Sequence, residues 1–248
     1  MSLDLLARYG PRLLSGLWVT LELVSVSFTA GALLALPLAL ARLSRNRALA
    51  GLAFAYGAFF RGTPLLAQTF LVYYGAGQFR AGLDAAGLWW LFRDAFFCVL
   101  LTFSLNTAAY QAEILRGAIA SLPKGQIEAA QALGMRRYAI LRKVVLPQAL
   151  LLALRPYGNE IILMVKASAI ASVVTVFDLM GVTRLAFARS FDLQVYLWAA
   201  VLYLGLVEGL RRLWDALERR MTRHLRPVAD ASRAVPTPSA GFGEAAGR

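Results

Sequence analysis

Glu160 stands in "RPYGNEIILMVKASAIAS", where Pro156, Gly158, Asn159, Glu160 and Lys166 interrupt an otherwise apolar stretch. A carboxylate, an amide and an ammonium can bind or relay charge, and at membrane depth such groups are costly enough to mark a pathway. The candidate pathway residues are Asn159, Glu160, Met164 and Ser168 in this stretch and Asn106 in "LTFSLNTAAYQAEILRG". Two plainer readings stand beside this one: Lys166 snorkels to an interface, or Glu160 forms an ion pair with Lys166 or with a residue of another subunit. Bond-breaking chemistry is poorly served, because no Ser, His and Asp are grouped and no two carboxylates are placed for acid and base work. The single His224 excludes a multi-histidine metal site, and the single Cys98 excludes an internal disulfide. The chain has no G-x-x-x-x-G-K-[ST] loop. It is expected to bind no metal and no cofactor.

The elements that must position these residues are membrane spans. At 59% hydrophobic and 16% charged, with mean hydropathy +0.59, the chain of 248 residues is too apolar for a water-soluble globule. Stretches of the length that crosses about 30 Å of hydrocarbon number about five. They run from about Gly16 to Ala41, Leu49 to Gly75, Ala95 to Leu115, Leu150 to Val176 and Val195 to Leu213. The first is longer than a signal-peptide apolar region and follows the mixed "MSLDLLARYGPRLL", so it reads as a retained span. The architecture expected is an all-α membrane protein.

Basic residues orient the spans. Arg42, Arg45 and Arg47 follow the first; Arg116, Lys124, Arg136, Arg137, Arg142 and Lys143 separate the third from the fourth; Arg211, Arg212, Arg219, Arg220, Arg223 and Arg226 close the fifth. These belong in the cytoplasm. The opposite segments mix Arg8, Arg12, Arg80, Arg93, Arg184 and Arg189 with Asp4, Asp84, Asp94 and Asp192, which puts the N-terminus outside and the C-terminus inside. The net charge of +12 is thereby a topology signal and a lipid-facing collar, with no nucleic-acid partner implied. Residues 1–15 read as an external segment, 16–220 as the membrane domain with a cytoplasmic loop over about 117–147, and 221–248, rich in Pro, Ala, Gly and Ser, as a largely disordered cytoplasmic tail.

Two spans look broken. Arg61, Gly62 and Pro64 interrupt the second in "FFRGTPLLAQ", and Pro156 and Gly158 interrupt the fourth. A break in hydrocarbon is tolerated only where protein or a hydrated cavity satisfies the freed backbone groups, so both should face the interior. In the third span, the small Thr107, Ala108 and Ala112 would let another helix approach, and Glu113 and Arg116, three apart, should pair as a structural feature. Glu22, with Thr20 and Ser25 nearby, could line a pathway or touch another subunit.

The loop "KGQIEAAQALGMRRYAILRKVVLPQAL" is unlike its surroundings in charge and small-residue content. Pro123 suits a first helical turn, Glu128 lies near the positive end of that helix and Gly134 can end it. Ala129, Ala130 and Ala132 with Gly134 offer a surface that could seat in a partner's groove, while an amphipathic loop lying on the membrane surface is the plainer reading. Leu146 and Pro147 mark the start of the fourth span.

Glu128, Ala129 and Ala130, then Gly134, then Val144, Val145, Leu146 and Pro147 have the spacing that resembles the EAA motif of permease subunits of bacterial ATP-binding cassette importers; Val144 stands where that family usually has isoleucine. "RGTPLLAQTFLVYYG", "NTAAYQAEILRGAIASLPKGQIEAA" and "YGNEIILMVKASAIASVVTVFDLMG" are similar to the polar amino acid permeases, above all the M-type subunits of the histidine, basic amino acid and opine importers, over about residues 12 to 225. "KASAIAS" departs from the "KDTSL" form of the wider group and favours the basic amino acid and opine branch. The resemblance implies an inner-membrane subunit of five helices, paired with a second, similar permease subunit. It further implies two copies of an ATPase holding ATP and magnesium, and an external binding protein that delivers substrate. Glu128, Ala129, Ala130, Gly134, Leu146 and Pro147 would couple to the ATPase, and Glu160 would meet a cationic part of the substrate. An ion-coupled secondary transporter also needs broken helices and buried charge, but the lack of an internal repeat and the matched loop speak against it.

Overall fold

A computed structural model describes residues 3–223, and its elements follow from where caps and helix breakers fall. Helix α1 (Leu3–Arg42) has 40 residues, about 60 Å at 1.5 Å per residue, roughly twice the hydrocarbon thickness. Residues 3–15, part of the segment expected outside the membrane, form the first turns of α1. Tyr9 and Leu13 are buried there, in clusters with Ala186 and Val195 and with Leu179 and Val182.

Asn46 caps α2 (Arg47–Gly62), its Oδ1 accepting from the amides of Ala48 and Leu49. The chain then turns at Thr63 and Pro64 into α3 (Leu65–Gln78), so the second expected span is two helices, broken where the proline removes a donor. Two short helices, α4 (Arg80–Ala85) and α5 (Trp89–Phe92), lead to α6 (Ala95–Ala120), capped by Asp94. Next come α7 (Lys124–Ala132), α8 (Arg137–Ile140), a π-helical turn over Leu141–Val145, and α9 (Leu146–Ala167). A 3-10 turn over Ser168–Val174 leads to α10 (Leu179–Ser190), capped by Asp178, and α11 (Gln194–Met221) follows. No strand occurs among the described residues.

Among the described residues, three stretches are long and apolar enough to cross a membrane: Ala7–Arg42, Ala95–Ala120 and Arg137–Val174. The first two lie side by side. Gly31 faces Thr107 and Ala108, and a Cβ at Gly31 would run into the Thr107 side chain; the small residues of α6 thus seat α1, the close approach their size allows. The Ser27 hydroxyl adds a bond to the Leu100 carbonyl at 3.3 Å. One buried cluster joins Leu23 and Val24 of α1, Val99 and Phe103 of α6, and Met164 and Val165 of α9.

The fourth span differs from its sequence reading in three ways. Its helix begins at Arg137, well before Leu150, because the chain enters through a wide turn: the Leu146 amide donates to the Leu141 carbonyl, an i→i+5 bond. Pro147 directly follows that turn, as the second residue of α9. The break expected at Pro156 and Gly158 is absent, and α9 runs through both. Pro156 and Leu152 are exposed, so the carbonyl that loses its donor lies on an open face. Gly158 is a packing position: a Cβ there would collide with Trp214, whose indole Nε1 donates to the Leu154 carbonyl at 2.8 Å. The irregularity comes later, in the 3-10 turn, which ends at Thr175 with φ 66°. Helix α10 was not anticipated either, since its arginines read as loop; Leu179, Val182 and Ala186 bury it against α1 and α11. Of the expected tail, residues 224–248 lie outside the described residues.

Candidate functional site

The break at Pro64 builds the wall of a cleft. Proline has no amide hydrogen, so the Phe60 carbonyl, four residues earlier, loses its helical donor. Two side chains replace it: Gln68 Nε2 at 2.9 Å and Asn106 Nδ2 at 2.8 Å. Gln68 Nε2 also reaches the Thr63 carbonyl and hydroxyl, while its Oε1 accepts from Asn106 Nδ2 at 3.0 Å. Arg61, Gly62 and Pro64 are exposed while Gln68 is buried at 3% exposure, so the break is satisfied from its inner side. Both donor directions of Asn106 are spent on the break, which leaves its Oδ1 as an acceptor.

Behind that wall is a cleft of about 220 Å³, lined by Thr63, Leu65, Asn106, Tyr110, Glu160 and Met164 among others. Glu160 is 7% exposed. Its Oε1 accepts from the Thr107 hydroxyl at 3.1 Å, and Thr107 Oγ1 in turn accepts from Gln111 Nε2, which also donates to the Phe28 carbonyl. A chain of bonds from α1 through α6 thus fixes the carboxylate on α9. Among the described residues no lysine or arginine forms an ion pair with Glu160. Among the described residues the sealed polar atoms without a partner are Gln111 Oε1 and Trp198 Nε1, and none donates to Glu160 Oε2, so that oxygen opens on the cleft. A buried carboxylate without a cation has a strong demand for one.

Asn106, Glu160 and Met164 therefore share one cleft, while Asn159 and Ser168 do not. Neighbouring positions on a helix point about 100° apart, and Asn159 faces another groove, with Arg155, Arg211, Asp215 and Glu218. Ser168 is fully buried, donates to the Val165 carbonyl at 2.8 Å and lies by Tyr203. Lys166 is exposed beside Ala169, Tyr203 and Leu204, away from Glu160. Glu22 is exposed on α1. Glu113 and Arg116 pair, with Arg116 Nε at 2.9 Å, and Arg61 from the end of α2 approaches the same carboxylate at 3.9 Å. Gln68, Thr107 and Gln111 were not read as site residues. The signal for Gln68 is a glutamine four residues beyond a proline in an apolar run; for the other two it is the i,i+4 spacing that stacks them on one helix face.

On the loop, α7 exposes Glu128 and Ala129 and buries Ala130. Pro123 precedes the helix as its cap residue. Gly134 has φ +73° and follows the last turn, where the Met135 amide closes onto the Ala130 carbonyl at 3.1 Å; only glycine or asparagine takes this left-handed position readily. Leu133 and Tyr138, at 82% and 69% exposure, flank it. Leu146 is half-buried and Pro147 exposed. The exposed residues thus place a carboxylate, a methyl, a bare backbone and two large apolar groups together on one loop.

Comparison with known proteins identifies the family. Residues 27–223 match the family described as "binding-protein-dependent transport system inner membrane component". The chain is 40% identical over 227 residues to the nopaline transport system permease protein NocM of Agrobacterium fabrum, covering 91% of this chain and 94% of that one. It is 42% identical over 207 residues to the octopine transport system permease protein OccM of Rhizobium radiobacter, covering 83% and 84%. It is 39% identical over 210 residues to the arginine ABC transporter permease protein ArtM of Haemophilus influenzae, covering 84% and 92%. A solved structure described as an amino acid ABC transporter with histidines superposes with TM-score 0.77 at 34% identity, covering 89% of this chain and all of that one. The methionine transporter MetNI, at TM-score 0.68 and 24% identity, shares the fold. The chain belongs to the inner-membrane permease family of binding-protein-dependent ATP-binding cassette importers, in which the ATPase is a separate subunit.

Proposed function

We propose that this permease carries basic amino acids or opines inward by alternating access, paired with a second, similar permease subunit. The observation that carries the reading is Glu160: a buried carboxylate, held by Thr107, open to a cleft and supplied with no cation by the described residues. A cationic substrate would supply one. The names of the relatives, nopaline, octopine and arginine permeases, support the same chemistry. The chain crosses the inner membrane five times, N-terminus outside, with α2 and α3 together making the second crossing and α11 the fifth. Residues 117–147 face the cytoplasm. There Glu128, Ala129 and Gly134, flanked by Leu133, seat in the ATPase, which holds ATP and magnesium, while Ala130 packs the helix onto its own chain. Closure of the ATPase pair pushes on α7, and through the π-helical turn and Pro147 on α9, rocking the two permease halves between outward and inward openings. A charged group in the cleft is thereby exposed to one side at a time.

Uptake by Glu160→Gln of a cationic and of a neutral substrate, measured beside the amount of assembled complex, tests the reading. Selective loss of the cationic substrate at unchanged assembly is expected. Equal loss of both, tracking a fall in assembled complex, would make Glu160 a structural residue.

A further inference from the structure

A cluster of charges lies just beyond the cleft. On α6, Asn106, Tyr110 and Glu113 are spaced i, i+4, i+7 and share one helix face. The first two line the cleft, so Glu113 continues its wall toward Ala120, the end of α6 placed in the cytoplasm above. From the neighbouring wall Arg61 comes off the last turn of α2, two residues before Thr63, which also lines the cleft. Its Nη2 stands 3.9 Å from Glu113 Oε2. The other oxygen, Oε1, accepts from both Nε and Nη2 of Arg116. One carboxylate is thus divided between two guanidiniums, one on its own helix and one from α2.

The two contacts differ in kind. Arg116 and Glu113 share α6 and move as one. The contact of Arg61 with Glu113 joins two helices, is too long for a hydrogen bond, and has side chains that are 33% and 28% exposed. Such a pair adds little stability and separates easily: Glu113 would keep Arg116, so no unpaired charge would be left behind. The base of the Arg61 arm is fixed, because the carbonyl of Phe60, one residue before it, is held by Gln68 and Asn106. Only the side chain is free to swing. It lies over Gly57, where an added Cβ would stand 3.8 Å from Nη2. We infer that Arg61 gates the cytoplasmic end of the cleft, closed while its guanidinium lies against Glu113 Oε2 and open when the arm swings out. Arg116 is a positioning residue, holding the Glu113 carboxylate where the arm can reach it. The inference rests on the orientation proposed above and on the cleft as the pathway, and it does not depend on what Glu160 binds.

The test uses the permease and ATPase complex in membrane vesicles of both orientations, with Cys98 replaced and Tyr110→Cys as the single thiol, set in the lining of the cleft. Reaction with an impermeant thiol reagent is timed from each side, with and without a non-hydrolysable ATP analogue and with no substrate present. With Arg61 in place, the thiol should be protected from the cytoplasmic side in one of the two nucleotide states. In that state Arg61→Ala and, independently, Glu113→Gln should speed cytoplasmic labelling several-fold without changing labelling from outside. Arg61→Lys keeps the charge and should stay close to the parent. Unchanged cytoplasmic labelling in Arg61→Ala or in Glu113→Gln would overturn the gate, and so would a parent labelled equally in both nucleotide states. Labelling that rises equally from both sides, or a loss of assembly in both variants, would make the contact structural and overturn it too. Faster labelling from outside alone would overturn the cytoplasmic placement and the orientation beneath it, while protection by Arg61 would stand, so the two failures are distinguishable.

Discussion

Asn106 Nδ2 donates to the Phe60 carbonyl oxygen at 2.8 Å, the same oxygen that Pro64 deprives of its helical donor. A helix-breaking residue in one element is thus paired with an amide in another, and the pairing fixes the cleft's shape. Asn106→Leu keeps the volume and removes both donors. It should lower the thermal stability of the purified complex by about 1 to 3 kcal/mol, the cost of a part-buried acceptor losing a partner, and reduce uptake. Asn106→Asp should be worse, because it sets a carboxylate against the Phe60 carbonyl and Gln68 Oε1. Thermal unfolding curves that coincide for wild type and Asn106→Leu would show that Gln68 alone suffices.

Membrane class and the second span's break were legible because both rest on local chemistry: apolar length in one case, a missing amide hydrogen at Pro64 in the other. The behaviour of Pro156 was not, because the consequence of a proline depends on which face of the helix loses its donor. At Pro64 that carbonyl is met by two recruited side chains; at Pro156 it lies on an exposed face and the helix continues. Gly158 looked like a second breaker, yet its meaning is set by Trp214, more than fifty residues away in sequence. Likewise Asn159 and Glu160 are adjacent in sequence but face different grooves, and only the helical phase of α9 against α6 assigns Glu160 to the cleft. Helix α10 escaped notice because its 12 residues are too few to read as a span and Arg184 and Arg189 within it read as loop.

The contact of Gly158 with Trp214 yields a separate expectation. Gly158→Ala forces the indole to shift and strains its bond to the Leu154 carbonyl, a small-to-large change that typically costs about 1 to 3 kcal/mol. Trp214→Leu in the same chain should return part of that loss by making room. Denaturation midpoints of the two single variants and the double variant check the coupling; strictly additive losses would mean that the two residues do not interact.

Orientation is open to labelling. A cysteine at Asp84, near the end of α4, should react with an impermeant reagent in intact cells after Cys98 is replaced. A cysteine at Gly125 on α7 should react only after permeabilisation. The reverse pattern would overturn the charge argument that places the loop in the cytoplasm.

The loop itself offers the sharpest test of coupling. A Cβ at Gly134 would meet nothing within 4 Å in this chain, and its φ of +73° is one that asparagine tolerates. Gly134→Asn should therefore leave the permease folded and in the membrane, so any functional loss reports a surface outside the chain. Gly134→Glu adds bulk and charge at the same point, Glu128→Lys reverses charge on an exposed face, and Leu133→Asp removes an apolar group that is 82% exposed. If the ATPase seats here, substrate- and binding-protein-stimulated ATP hydrolysis in reconstituted vesicles should fall at least about tenfold for the three charge changes and less for Gly134→Asn, a loss of about 1.4 kcal/mol or more in coupling. Arginine binding to the cleft should be retained throughout, because α7 contributes no residue to it. Normal stimulation in Gly134→Glu or in Glu128→Lys would move the docking surface off this loop.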